Sequence, residues 1–198
     1  VAAGVPDSLL GALSAELDSN KNIEHIKAPN EGLALSAALG YQIASNQKSV
    51  VYLQNSGLGN LVNPYLSLFH SEVYNVPAFL VIGWRGQFPD GDEPQHRVQG
   101  GKTEAMLDLL NVNVVYLRNE SDIETSIDGA MSVLRQGDSV AILVSKGALG
   151  PPPSMVASGS RPERKQWVKC IKDSIDTNTF IISTTGKTSR ELYELQSV

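Results

Sequence analysis

Four short stretches place polar side chains and glycine where an apolar run gives way to a helix, and chemistry is to be sought there. The first is Ala28-Pro29-Asn30-Glu31-Gly32. Its carboxylate, Glu31, is placed to share a proton with a ligand, or merely to favour the positive end of the helix it opens. Gly32 lets another backbone approach closely. The second is Gln54-Asn55-Ser56-Gly57-Leu58-Gly59-Asn60. It is no dinucleotide fingerprint, because Val62 stands where the third glycine belongs, and no nucleophile elbow, because Gln54 precedes the serine. An ordinary βα turn capped by Asn and Ser has the same composition. The third runs from Gly83-Trp84-Arg85-Gly86 into Asp92-Glu93-Pro94-Gln95-His96. Acid and imidazole in one segment can move protons near neutral pH, although a solvated histidine looks the same in sequence. The fourth, Thr185-Gly186-Lys187-Thr188-Ser189, ends like a nucleotide-binding P-loop, but the required earlier glycine is Ile181. That excludes the triphosphatase reading and leaves a strand-to-helix turn whose free amides suit a diphosphate. His25 and His70 read as structural.

The elements that must position these stretches alternate regularly. Pro6-Asp7-Ser8 can cap a helix running to about Leu17, with Leu9, Leu10, Leu13 and Leu17 as its apolar stripe. Val1 to Gly4 reads as a lead into that helix, its preceding strand trimmed away. Strands are expected at Ile23 to Lys27, Ser49 to Gln54, Ala78 to Ile82, Val112 to Leu117 and Val140 to Val144. Helices are expected from Glu31 to Ala44 and after Gly59, Thr103 and Ser121. Near-continuous apolar strands alternating with helices predict an α/β fold, a parallel sheet covered on both faces, with ligands beyond the carboxyl ends of its strands. Arg85 to Gly101 is a long polar connection of the kind that often carries function.

Gly147 to Pro162, with Pro151-Pro152-Pro153, has the composition of a semi-rigid linker. Beyond it, Arg164 to Ser174 reads as a helix, Phe180 to Thr184 as a strand and Thr188 to Leu195 as a helix. The predicted organisation is a first domain over 1–146, a linker over 147–162, and the beginning of a second domain over 163–198. Sixteen Lys and Arg against 21 Asp and Glu give a net charge of -5 with no basic run, which argues against a nucleic-acid partner. One cysteine, Cys170, excludes an intrachain disulfide and a cysteine-built zinc site. With no long apolar run and no signal-like start, the expectation is a cytoplasmic protein away from membranes.

Taken in order, Gly4-Val5-Pro6-Asp7-Ser8, Asn30-Glu31-Gly32, Tyr52-Leu53-Gln54-Asn55-Ser56-Gly57-Leu58-Gly59-Asn60, Gly83-Trp84-Arg85-Gly86, Asp92-Glu93-Pro94-Gln95-His96 and Gly186-Lys187-Thr188-Ser189-Arg190-Glu191 resemble the phosphonopyruvate decarboxylases. The sulfopyruvate decarboxylases are close cousins. The resemblance implies a doubly wound pyrimidine-binding domain, followed by the start of a diphosphate-binding domain, in an enzyme dependent on thiamine diphosphate and Mg2+. It implies that Glu31 bonds the aminopyrimidine ring of the cofactor, that Asp7 and His96 relay protons, and that Asn55, Ser56 and Gly57 line the pocket. Arg85 and Arg97 would hold the anionic substrate, and Lys187, Thr188 and Ser189 would begin the diphosphate cradle of another subunit in a homo-oligomer. The implied reaction is decarboxylation of phosphonopyruvate to phosphonoacetaldehyde and carbon dioxide. Sulfopyruvate decarboxylation, or a non-catalytic half that pairs with a partner chain, are the alternatives. The family's Gly-Asp-Gly metal segment does not follow Arg190, so the metal ligands are expected outside this stretch, which is either a natural split subunit or, the favoured reading, a trimmed or partly ordered chain.

Overall fold

The computed structural model describes residues 1–89, 91–151, 163–176, 178–183 and 187–196. The chain divides into two compact units, Val1–Pro153 and Ser154–Val198.

The first unit is built on six strands: β1 (Ala2–Gly4), β2 (His25–Lys27), β3 (Val50–Gln54), β4 (Phe79–Gly83), β5 (Asn113–Leu117) and β6 (Val140–Val144). All pairings are parallel and the order is β2-β1-β3-β4-β6-β5. Because side chains alternate across a strand, each apolar run feeds both faces. Val51, Leu53, Leu80, Ile82, Ala141 and Leu143 pack on one side under α2 (Glu31–Ser45), α3 (Leu58–Pro64) and α5 (Thr103–Leu109). Tyr52, Val140, Ile142 and Val144 pack on the other under α1 (Gly11–Ser19) and α6 (Ile123–Arg135). The expected doubly wound sheet, helices on both faces, is therefore present.

β1 corrects the reading of Val1 to Gly4 as a mere lead into a helix. Ala2 and Ala3 are buried, and the strand lies between β2 and β3. Three small residues carry too little pattern to announce a strand, and their register with both neighbours supplies what local propensity does not. The first helix also starts later than expected, at Gly11, because the Asp7 carboxylate accepts the Leu9 N–H at 3.0 Å and turns the chain first. Helix α4 (Pro94–Gly100) lies inside the segment expected as an irregular connection, with Pro94 in its first turn.

In the second unit, α7 (Arg164–Ser174) opens with a reciprocal cap between Glu163 and Gln166. It pairs with α8 (Lys187–Gln196) through Arg164 to Glu191 at 2.6 Å and Lys165 to Glu194 at 2.8 Å. The expected strand at Phe180 to Thr184 is not formed over the described part, residues 180–183. No described neighbour in this unit offers a ladder, and Phe180 and Ile182 are almost fully exposed. Thr184, Gly186 and residues 152–162 of the expected linker lie outside the described residues.

Candidate functional site

At the carboxyl ends of the strands, β1 and β3 are neighbours whose continuations part. The chain leaves β1 through α1 toward β2, and leaves β3 through α3 toward β4 on the opposite side. Such a divergence opens a crevice where ligands bind in open α/β sheets. Pro6-Asp7 and Asn55-Ser56-Gly57 are the residues that follow these two strands.

Glu31 opens α2, behind Asn30, whose side chain caps the helix by accepting the Leu33 N–H at 2.9 Å. The half-buried carboxylate lies over Gly57: a methyl at that glycine would fall 2.3 Å from Glu31 Oε1. Any side chain there would displace the acid. Its other oxygen, Oε2, accepts from Asn60 Nδ2 at 2.7 Å. Asn60, one turn into α3, was not singled out by sequence reading. Its signal was available, since a residue three positions after Gly57 on the helix that follows points back over the turn.

Asn55 plays a different part from the pocket-lining one expected of it. Its side chain is buried; Nδ2 donates to Arg85 O and Thr103 Oγ1, both at 2.9 Å, and Oδ1 accepts from Arg85 N at 3.1 Å. Both amide protons are spent inside the protein, so the side chain clamps the β3 turn to the segment after β4. Ser56 is exposed and accepts from Gln54 Nε2 at 2.6 Å.

That segment carries the acid and the imidazole. Gly86, at φ +71°, meets His96 and Gly100 so closely that a methyl would come within 1.9 Å of His96 O, and one on Gly100 within 2.0 Å of Gly86 O. His96, on α4, is half-buried, and its Nδ1 is buried without a hydrogen-bond partner. Asp7 matches it from the β1 side. Oδ2 accepts the Leu9 N–H and lies against Gly83, whereas Oδ1 is buried and unpartnered. Burial pushes the Asp7 carboxyl above the ordinary carboxylate value, opposed by the turn's amides and by the Arg85 charge.

Arg85 is gripped by Asp92, with Nε to Oδ2 at 3.1 Å and Nη2 to Oδ1 at 2.8 Å. This guanidinium holds the Asp92 carboxyl down to about 2. Arg85, Asp92, Ser8, Leu9, Gly86 and Lys146 are among the residues lining a cavity of about 180 Å3. Arg97, expected beside the substrate, is exposed on α4 and is not among the residues lining this cavity. Thr188 and Ser189 sit at the start of α8 in the second unit, where Ser189 Oγ lies 3.0 Å from Ser183 Oγ; Lys187 opens that helix, its side chain outside the described residues. A larger hollow of about 450 Å3 lies on the α1 and α6 face, but its lining, including Leu13, Leu17, Phe79 and Ile127, is almost wholly apolar and offers no such polar grouping. Among the described residues no cluster of three His, Cys, Asp or Glu is placed to hold a metal ion, and no helix is long and apolar enough to cross a membrane.

Comparison with known proteins gives a consistent neighbourhood. The family model for the thiamine pyrophosphate enzyme N-terminal TPP-binding domain matches residues 1–110. Phosphonopyruvate decarboxylase of Streptomyces viridochromogenes is 29% identical over 98% of this chain and 53% of its own length. Sulfopyruvate decarboxylase subunit alpha of Methanocaldococcus jannaschii is 31% identical over 54% of this chain and 62% of its own. The chain thus spans about half the length of the phosphonopyruvate decarboxylase it matches. A solved structure from Mycobacterium smegmatis, described as thiamin diphosphate-dependent, shares the fold with a TM-score of 0.54 at 16% identity, over 86% of this chain and 34% of that one.

Proposed function

Since this chain belongs to the thiamine pyrophosphate enzymes, matching their N-terminal TPP-binding domain, we propose that it supplies the carboxylate side of a thiamine-diphosphate site in a 2-oxoacid decarboxylase. Phosphonopyruvate is the proposed substrate, giving phosphonoacetaldehyde and carbon dioxide. Sulfopyruvate is the second reading, favoured by the similarity to a sulfopyruvate decarboxylase subunit and by the small chemical step from phosphonate to sulfonate.

The residues present fit the cofactor. Gly57 leaves room for Glu31, and Asp7 Oδ1 and His96 Nδ1 are buried polar atoms still lacking partners, which a native fold tolerates chiefly where a ligand or water completes them. When bound, thiamine diphosphate supplies the electron sink that lets the substrate's carboxylate depart as carbon dioxide. The remaining work falls to the chain. Asn60 fixes Glu31 Oε2, and Oε1, over the bare glycine, would be the atom that shares a proton with a bound aminopyrimidine ring. Asp7, its carboxyl raised by burial, holds a proton at Oδ1 to higher pH than a solvated acid does, and His96 Nδ1 is the second relay position. Thr188 and Ser189, with Lys187, are proposed to begin the diphosphate cradle of a neighbouring subunit in a homo-oligomer, with Mg2+ held by residues beyond those described.

The observation that carries this reading is the Glu31 carboxylate seated on Gly57 and fixed by Asn60. Its test is Glu31→Gln in the full-length protein, assayed for carbon dioxide release from both acids with thiamine diphosphate and Mg2+. Turnover should fall by about 10²- to 10⁴-fold with the fold unchanged. Undiminished turnover would overturn the assignment.

A further inference from the structure

Lys146 was not among the residues that sequence reading singled out. It follows β6 almost directly, and β6 runs beside β4 with Val144 opposite Gly83. The Trp84 N–H donates to Val144 O at 2.9 Å, and the turn after Ser145 is closed by Ala148 N–H to Ser145 O at 3.1 Å. This register carries Lys146 to the rim of the 180 Å3 cavity whose other cation is Arg85.

The charges in that cavity are unequal. Asp92 accepts from Arg85 Nε and Nη2 and from the N–H groups of Gly86 and Glu93, so carboxylate and guanidinium are committed to each other. Lys146 is exposed and forms no ion pair among the described residues. Among the charged residues that line the cavity, Lys146 is therefore the cation without a carboxylate partner, while Asp7, behind the Ser8 and Leu9 turn, is held by the Leu9 N–H. The cavity is smaller than the roughly 300 Å3 at which pockets for drug-sized ligands begin, which suits a compact anion.

We propose that Lys146 anchors the distal anionic group of the substrate, a phosphonate or sulfonate, and that Arg85, held in place by Asp92, orients the group from the side. Lys146 is then a specificity determinant: it selects 2-oxoacids with a charged tail over those without one. The substrate assignment rests on the function proposed above, but the anion site itself does not.

The test separates the two. Phosphonoacetate, sulfoacetate and acetate are titrated into the 198-residue chain, wild type and Lys146→Gln, with backbone amide resonances as the readout. Phosphonoacetate or sulfoacetate should move the Ser8, Leu9, Gly86 and Lys146 signals, acetate should bind more weakly, and Lys146→Gln should lower the affinity about tenfold or more. The tighter of the two tailed anions identifies the tail, and either order supports the site. Lys146→Arg, which keeps the charge, should restore part of the affinity. Equal affinity for acetate, or binding unaffected by Lys146→Gln, overturns the proposal. In the full-length enzyme, Lys146→Gln should raise KM for the tailed acid with little change in kcat. If Glu31→Gln leaves turnover intact while anion binding still depends on Lys146, the reaction assignment fails and the anion site stands. If the dependence on Lys146 is missing and Glu31→Gln abolishes turnover, the converse holds.

Discussion

Two of the described histidines, His25 and His96, differ in what their surroundings leave over. At β2, His25 lies between Asp18, with Nδ1 to Oδ1 at 2.9 Å, and Tyr52, with Nε2 to the hydroxyl at 2.7 Å, while Lys27 reaches Asp18 at 2.7 Å. Both ring nitrogens have partners. At the carboxyl ends of the strands, Asp7 Oδ1 and His96 Nδ1 have none. Completed polar networks hold structure; buried polar atoms without partners call for another explanation, such as a water, a ligand or a role in catalysis. The lesson is that a histidine's residue type says little about catalysis until its unused atoms have been identified.

The contrast can be broken at its sharpest point with Asp7→Asn. For the proposed decarboxylase, turnover should fall by about 10²- to 10⁴-fold, while the folded protein should become more stable near neutral pH. Burial raises the folded carboxyl above its ordinary 3.8, so the folded state holds this proton more tightly than the unfolded chain. Wild type therefore loses stability as pH rises through the folded value, whereas Asn has nothing to ionise. Urea melts across pH check the sign: a variant less stable than wild type at neutral pH would contradict it. Gly57→Ala should be nearly as damaging. Its methyl displaces the Glu31 carboxylate, and a displacement near 1 Å costs about 10²-fold in turnover.

His25→Ala is the opposite experiment. It should cost about 1–3 kcal/mol of stability by removing the ring's bonds to the buried Tyr52 hydroxyl and to Asp18, with turnover per folded molecule unchanged. A loss of turnover without loss of stability would erase the distinction between the two histidines. The smallest effect belongs to Asp92→Asn. Arg85 depresses the Asp92 carboxyl from 3.8 to about 2, so its contribution is complete above 3.8 and disappears as pH falls through about 2. The stability gap between wild type and variant should close across that window, in the opposite direction to Asp7.

Much of this arrangement is legible in the amino-acid order. β3, β4, β5 and β6 are runs of Val, Ile, Leu and Tyr long enough to fill both faces of a sheet, and Asn30-Glu31 marks a helix start by capping chemistry alone. What was not legible depends on neighbours distant in the chain. β1 is a strand because β2 and β3 flank it, and Phe180 to Ser183, with equally favourable residues, has no described partner and stays irregular. Asn55 looks like a ligand-binding residue by type and is a clamp by position, since Arg85 and Thr103 consume its amide. Lys146 looks like an ordinary surface lysine until the β4 to β6 register brings it beside Arg85.

The contact between Gly86 and Gly100 sets where His96 stands, and it does so by leaving atoms out. A shape maintained by vacant space is enforced sterically at two positions and left permissive between them. A single methyl at either glycine would shift the imidazole, whereas Gln87 and Phe88, outside the Arg85–Asp92 clamp and the first turn of α4, can be exchanged without that steric conflict. Engineering of substrate preference has a natural window here, framed by two residues that must stay bare.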